Sequence, residues 1–198
     1  MNFLAHLHIA DVTNTSAVGA MMGDFIKGDQ WRTLPQAQRI GVLLHRQVDS
    51  FTDSHPDVIQ ARQLFKLTRQ RYTGILIDML FDHLLAKQWH KFHPTSLTQF
   101  SQQQYRQLTA TEPHWPEKMI DVCRRMAETD WLCSYQTPGT IKLALHKIGL
   151  RMRVDAPFAT SYQEWQQVHA ELTMLFDSFY GDLLLQLPAL QRNVLQRS

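Results

Sequence analysis

Only two cysteines, Cys123 and Cys133, occur in the 198 residues. They are too few for a disulfide framework and lack the paired spacing of a zinc motif; such usage fits a reducing cytosol. Charge of one sign is also missing. Lys plus Arg is 20 and Asp plus Glu is 18, a formal net charge of +2, without the basic excess that bulk nucleic-acid binding draws on. No apolar run is long enough to span a bilayer. The opening residues have no basic stretch and are interrupted by His6 and His8, unlike a secretory signal. A cytoplasmic protein with neither a membrane nor a nucleic-acid partner is expected. Strand-type alternation, internal repeats and low-complexity linkers are absent too. A composition 44% hydrophobic and 19% charged is that of a globular chain. Its length suits one domain over 1–198 with a sizeable core.

What is present is helix-forming sequence almost throughout. Residues 2–10 are a short apolar piece. Ser16 is placed to cap a helix from Ala17 to Lys27, with Val18, Met21, Met22 and Phe25 as its apolar stripe and Gly28 past its end. Pro35 suits the first turn of a helix running to Asp53 with Leu44, Val48 and Phe51 inward. Ser54 predicts a further helix through Arg69. One central helix is read from Thr73 to His93, ended by Pro94. Ser96 caps a Gln-rich helix to Thr109, and Pro113 with Pro116 opens another with Met119, Val122 and Met126 inward. Thr137 with Pro138 opens a helix through Leu150. Ser161 with Glu164 reads as a capping box for a last helix to Leu187, stopped by Pro188 and followed by a frayed tail. The expectation is an all-α, single-domain bundle of eight or nine helices.

The central stretch carries the chemistry. Apolar side chains surround it, as in a buried helix, yet Asp78 and Asp82 lie four apart on one face and His83 follows at once. Carboxylates are rarely buried unless paired or bound to a metal. His45 and Asp49 are four apart on another helix, with Asp53 continuing the row. Asp24 lies between Met22 and Phe25, and His6 sits in the apolar opening. Ten histidines are many for this length, and imidazole is the commonest metal-ligating side chain. A His/Asp set without cysteine favours Mn²⁺, Mg²⁺, Fe or Zn²⁺. On an all-α domain it suggests hydrolysis of a phosphate ester, in which a metal lowers the pKa of water and neutralises phosphoryl charge. Each feature also has a structural reading: aspartates in ion pairs and histidines satisfied in the core.

Several motifs in order resemble the acyl carrier protein phosphodiesterase family. They are Asn2-Phe3-Leu4-Ala5-His6-Leu7-His8, Gly23-Asp24-Phe25, His45-Arg46 with Asp49 and Thr52-Asp53, and Asp78 with Asp82-His83. The resemblance is strongest up to Trp89. It implies a cytoplasmic, Mn²⁺-dependent enzyme (Mg²⁺ or another divalent cation being possible). That enzyme would release 4′-phosphopantetheine from holo acyl carrier protein, leaving the apo form with its free serine. It also implies a divergent relative of the His-Asp metal phosphohydrolases and an HD-domain-like bundle. In that superfamily the doublet runs His then Asp; here it is Asp82-His83.

On this reading Asp24, His45, Asp82 and His83 hold the metal, with Asp78 and Asp49 as further ligands or as partners that orient the imidazoles. His6 is a candidate proton donor to the leaving serine, and Arg46 a candidate clamp on a phosphoryl oxygen. Arg62, Lys66 and Arg69, with Arg71 beyond, form a basic run suited to an acidic carrier protein, with Leu64, Phe65 and Leu67 inward. Arg124, Arg125 and the Arg151/Arg153 pair are alternative docking positions. Two other functions stay open: a nucleotide phosphohydrolase of the His-Asp type, and a non-catalytic helical binding module with structural ion pairs. A di-metal oxygenase is disfavoured, because no Glu stands three residues before a His.

Overall fold

In the computed structural model, residues 1–152, 158 and 160–196 are described, and everything below refers to them. Ten α-helices and two short 3₁₀ turns occur, with no strand among the described residues: α1 (Phe3–Val12), α2 (Ala17–Met22), α3 (Gln36–Ser54), α4 (Pro56–Gln63), α5 (Gln70–Lys87), α6 (Leu97–Thr109), α7 (Glu117–Glu128), α8 (Trp131–Ser134), α9 (Pro138–Arg151) and α10 (Ser161–Leu195), with 3₁₀ turns at Gln30–Thr33 and Trp89–Lys91. The all-α expectation is met. The 3₁₀ turns and the four-residue α8 are too short to show a hydrophobic period.

Two helices form the centre of the bundle. In α1 every residue from Leu4 to Ala10 is buried, and α5 is buried from Met79 to Ala86. An element without a polar face has to be covered on all sides. Accordingly α1 lies against α2 and α5, while the long α10 runs along α3, α4 and α5. Helices α2 and α3 approach most closely where Gly41 meets Gly19, because a Cβ on Gly41 would stand 2.8 Å from the Gly19 Cα. The close approach brings the end of α2, carrying Gly23 and Asp24, to the side of α3 that carries His45.

Local signals set several boundaries as read. The Ser16 side chain accepts from the Gly19 backbone N–H, and Ser96 with Gln99 forms a complete capping box. Elsewhere tertiary contacts override the local pattern. Helix α2 stops at Met22, short of Lys27, and the following turns are tied down by Arg46, whose guanidinium donates to the carbonyls of Gly28 and Ile26. Ser54 does not open the fourth helix: its hydroxyl bonds back to the carbonyls of Ser50 and Phe51, and His55 is the cap, accepting from the Asp57 N–H. That helix ends at Gln63, not Arg69. Glu164 takes the Leu67 N–H at 2.6 Å and the Thr68 hydroxyl at 2.8 Å, drawing the segment out of helical register. The same carboxylate is therefore not half of a capping box at the start of α10.

The central helix starts earlier and ends earlier than read, at Gln70 and Lys87. The helix expected after Pro113 begins at Glu117. Helix α10 passes through Pro188 and continues to Leu195. A proline there forfeits one backbone bond, but Leu187 and Val194, seven residues apart on one face, are both buried, and the Gln191 side chain donates to the Thr13 carbonyl. Packing thus holds the tail that the local pattern leaves free. No described helix is long and apolar enough to cross a membrane.

Candidate metal centre

Helix α1 enters the core at its N-terminus, and its first N–H groups have no intrahelical partner. Asp82 of α5 supplies one. Its carboxylate accepts from the N–H of Leu4 at 2.8 Å and of Ala5 at 3.2 Å. The group is fully buried, and desolvation pushes its pKa up to about 7 against the two backbone donors. One residue on, His83 faces another way. Its Nδ1 meets the Tyr135 carbonyl at 2.6 Å, the ring N–H donating, and its ring stands edge-on to Trp165. Burial lowers its pKa, the Tyr135 carbonyl opposes this, and Lys87 and His169 add to the lowering. The Asp82-His83 doublet, read as two ligands of one ion, is thus divided between a helix cap and a distant wall.

The capped α1 carries His6 one turn into the core, where its ring stacks on His45 of α3 with centroids 3.7 Å apart. Asp49, one turn along α3, stands between the two imidazoles. Its Oδ1 is 3.1 Å from His6 Nε2 and its Oδ2 3.1 Å from His45 Nε2. His6, His45 and Asp49 each offer one donor atom, all within 4.8 Å of one another. Asp24 Oδ1 lies 3.9 Å from His45 Nε2, and desolvation raises the Asp24 pKa. The α-amino group of Met1 lies 3.1 Å from Asp78 and 3.5 Å from Asp49. Against desolvation, these two carboxylates hold the amine up to about 10.

The donor set suits a divalent cation. Although the His–Asp distances fall within hydrogen-bond reach, the angles leave His6 Nε2 and Asp49 Oδ1 buried without an aligned partner, and His45 Nδ1 has none either. Buried polar atoms are normally paired, so the facing orphans His6 Nε2 and Asp49 Oδ1, beside the Nε2 of His45, are atoms a shared ligand would complete. Desolvation and the neighbouring His45 lower His6 to about 3, the neutral form in which imidazole ligates. Desolvation would raise Asp49, but the two imidazoles beside its oxygens, His45 and His6, hold it below the ordinary carboxylate range. Gly23 belongs to the same geometry, since a Cβ there would overlap the His45 ring.

Of the residues singled out in the sequence, His6, His45, Asp49, Asp24 and Asp78 gather at one end of α1; Asp82 stands at the same end but is taken up by the Leu4 and Ala5 N–H groups, and His83 faces Tyr135 and Trp165 instead. Arg46 is committed to the Ile26 and Gly28 carbonyls. In the basic run, Arg62 pairs with Asp53 and Arg71 covers the Tyr72 ring, while Lys66 and Arg69 are exposed. Phe65 is buried as expected, but Leu67 is 71% exposed, because the segment is not helical. Of the alternative docking pair, Arg153 lies outside the described residues. His8, flanked by Tyr180 and the Phe92 carbonyl, is a satisfied core histidine. Gly23 was missed as a site residue; its place beside Asp24 was the available signal.

Taken together, the described residues form an all-helical protein whose candidate centre is a nitrogen-and-oxygen donor set drawn from two helices, buried at His6 and His45 and partly exposed at Asp49. The family model for acyl carrier protein phosphodiesterase matches residues 1–183, and the chain belongs to that family. Proteins of that name are similar to it over nearly their whole length. The one from Pectobacterium atrosepticum is 34% identical over 185 residues, covering 93% of this chain and 96% of the relative. That from Photorhabdus laumondii is 35% identical over 184 residues, with 91% of each covered. That from Yersinia pestis is 32% identical over 187 residues, covering 94% and 97%. No solved structure matches the chain. The resemblance, strongest up to Trp89 in its motifs but running over most of the chain, is matched by a family model that reaches residue 183.

Proposed function

We propose that this protein hydrolyses the phosphodiester linking 4′-phosphopantetheine to the serine of holo acyl carrier protein, giving the apo form, with a divalent cation held by His6, His45 and Asp49. The observation that carries the reading is the family match over residues 1–183. The closeness of the His6, His45 and Asp49 donor atoms, with His6 Nε2 and Asp49 Oδ1 otherwise unpaired, supports the metal. Mn²⁺ is the favoured ion, through the family resemblance and a donor set of nitrogen and oxygen without sulfur. Such an ion supplies an acidified water and charge neutralisation at the phosphoryl oxygens.

The protein's own residues then have separate tasks. His6 and His45 present their Nε2 atoms from two packed helices, and Asp49 faces both from α3 as the third donor. Asp24 and Asp78 extend the site with carboxylates that are only partly covered. Asp82 acts at a distance by fixing the start of α1, and so the position of His6. Arg46 shapes the turn after Asp24 and contributes no phosphate contact. With His6 engaged as a ligand, the proton for the departing serine oxygen comes from water. The reading places the protein in the cytoplasm, where its carrier-protein substrate is made, and keeps the relation to the His-Asp phosphohydrolases, with the doublet's ligand role passed to other residues.

The test is mass spectrometry of holo acyl carrier protein incubated with this protein and Mn²⁺. Loss of the 4′-phosphopantetheine mass, prevented by chelator, is the expected result. Unchanged holo protein at high enzyme concentration would overturn the reading.

A further inference from the structure

On the side of α5 that carries His83 and Lys87, a second feature is built that the hydrolytic site does not use. The two residues are four apart and share one face. Across from them lies the first half of α10, with α9 closing one end. Between these helices is an open cavity of about 600 Å³, within the size range of small-molecule sites. Among the described residues, no aspartate or glutamate lines it.

Its walls combine rings and cations. Tyr162, Trp165, His169 and His83 form a contiguous series, with Trp165 at the centre: its ring centroid lies 5.6 Å from Tyr162, 5.8 Å from His169 and 5.0 Å from His83. Lys87 is exposed and, among the described residues, has no carboxylate within ion-pair distance; the same holds for Lys142, whose ammonium stands 5.5 Å from the Tyr162 ring at the α9 side. The acids along this part of α10 are engaged elsewhere: Glu164 accepts from Leu67 and Thr68, Glu171 from Gln60, and Asp177 from Gln88 and Lys91. Unneutralised ammonium groups beside a cavity free of carboxylates favour an anion. A wall of rings favours a planar, apolar group next to that anion.

We propose that this cavity is a binding site for a phosphorylated small molecule carrying an aromatic ring, a nucleotide being the chemical class. The ring packs against Tyr162 and Trp165, and the phosphate is held by Lys87 in the wall, with Lys142 beside Tyr162 at the rim. The site is separate from the His6–His45–Asp49 centre and does not rest on the proposed hydrolysis.

ADP is the probe, titrated calorimetrically into the full-length protein in the presence of chelator, so that phosphate binding at a metal is suppressed. Saturable binding is expected, tighter than that of ribose 5-phosphate or inorganic phosphate. Lys87→Glu combined with Lys142→Glu, both at exposed positions, should weaken ADP by about tenfold or more, as for loss of charge-assisted contacts. His45→Ala should leave it unchanged. Absence of saturable binding at millimolar ADP would overturn the proposal. So would equal affinity for ribose 5-phosphate, undiminished affinity in the double variant, or binding that appears only with Mn²⁺ and is lost in His45→Ala.

Discussion

Asp82 holds the start of α1 through the backbone N–H of Leu4, 2.8 Å from its carboxylate, and thereby fixes where His6 enters the core. Replacing Asp82 by Ala leaves the Leu4 and Ala5 N–H groups buried and unpaired, at a cost of about 2–4 kcal/mol. Urea unfolding in chelator should show that loss directly. A variant as stable as the wild type would remove the capping role.

The same carboxylate predicts a pH dependence. Its folded pKa is about 7 against an ordinary 3.8, so the folded state holds the proton more tightly than the unfolded chain. The group's contribution is therefore complete below about pH 4 and is lost as pH rises through about 7. Asp82→Asn does not titrate. The stability of the wild type relative to this variant, both in chelator, should fall between pH 4 and 7 and level off above. A difference that rises over that range would contradict the burial argument.

Mn²⁺ should stabilise the wild type in thermal melts, by about 2.7 kcal/mol at a hundred times its dissociation constant. His45→Ala and Asp49→Ala should lose that response. His83→Ala should keep it while losing about 1–3 kcal/mol from the orphaned Tyr135 carbonyl. If His83→Ala abolishes the response and His45→Ala does not, the donor set is misassigned.

Gly23→Ala tests the close packing around His45. A methyl group there overlaps the ring and should cut hydrolysis by about tenfold or more, in line with a displaced catalytic constellation. Gly181→Ala, with nothing within 4 Å of the new carbon and a place inside α10, should instead gain about 0.5–1 kcal/mol. Equal activity in both variants would show that the His45 position is not critical.

For the carrier protein, Lys66→Glu with Arg69→Glu should raise KM and flatten its salt dependence, leaving kcat nearly unchanged, since exposed rim charges act on association. Arg62 is a poorer choice because its change also breaks the contact with Asp53. Steady-state kinetics at low and high salt make the check; an unchanged KM at low salt would move the docking surface toward Arg124 or Arg125.

Helical periodicity, Ser16, Ser96 and the proline positions made the all-α class and most helices legible, because caps and amphipathic stripes are local features that act within a few residues. The four-residue spacing of His45 and Asp49 likewise marked one ligand-bearing face, and His6 stood out as polar in an apolar run. Tertiary structure decided the rest. Asp82 and His83 are neighbours in sequence, yet a helix turns adjacent side chains about 100° apart, which sends one to cap α1 and the other to Trp165. Glu164 looked like a local cap but bonds Leu67 and Thr68, 97 and 96 residues away. Pro188 looked like a terminus but lies within a helix that buried Leu187 and Val194 hold together. The stacking of His6 on His45 depends on α1, α2 and α3 meeting in the core, a relation between distant segments that no local pattern encodes.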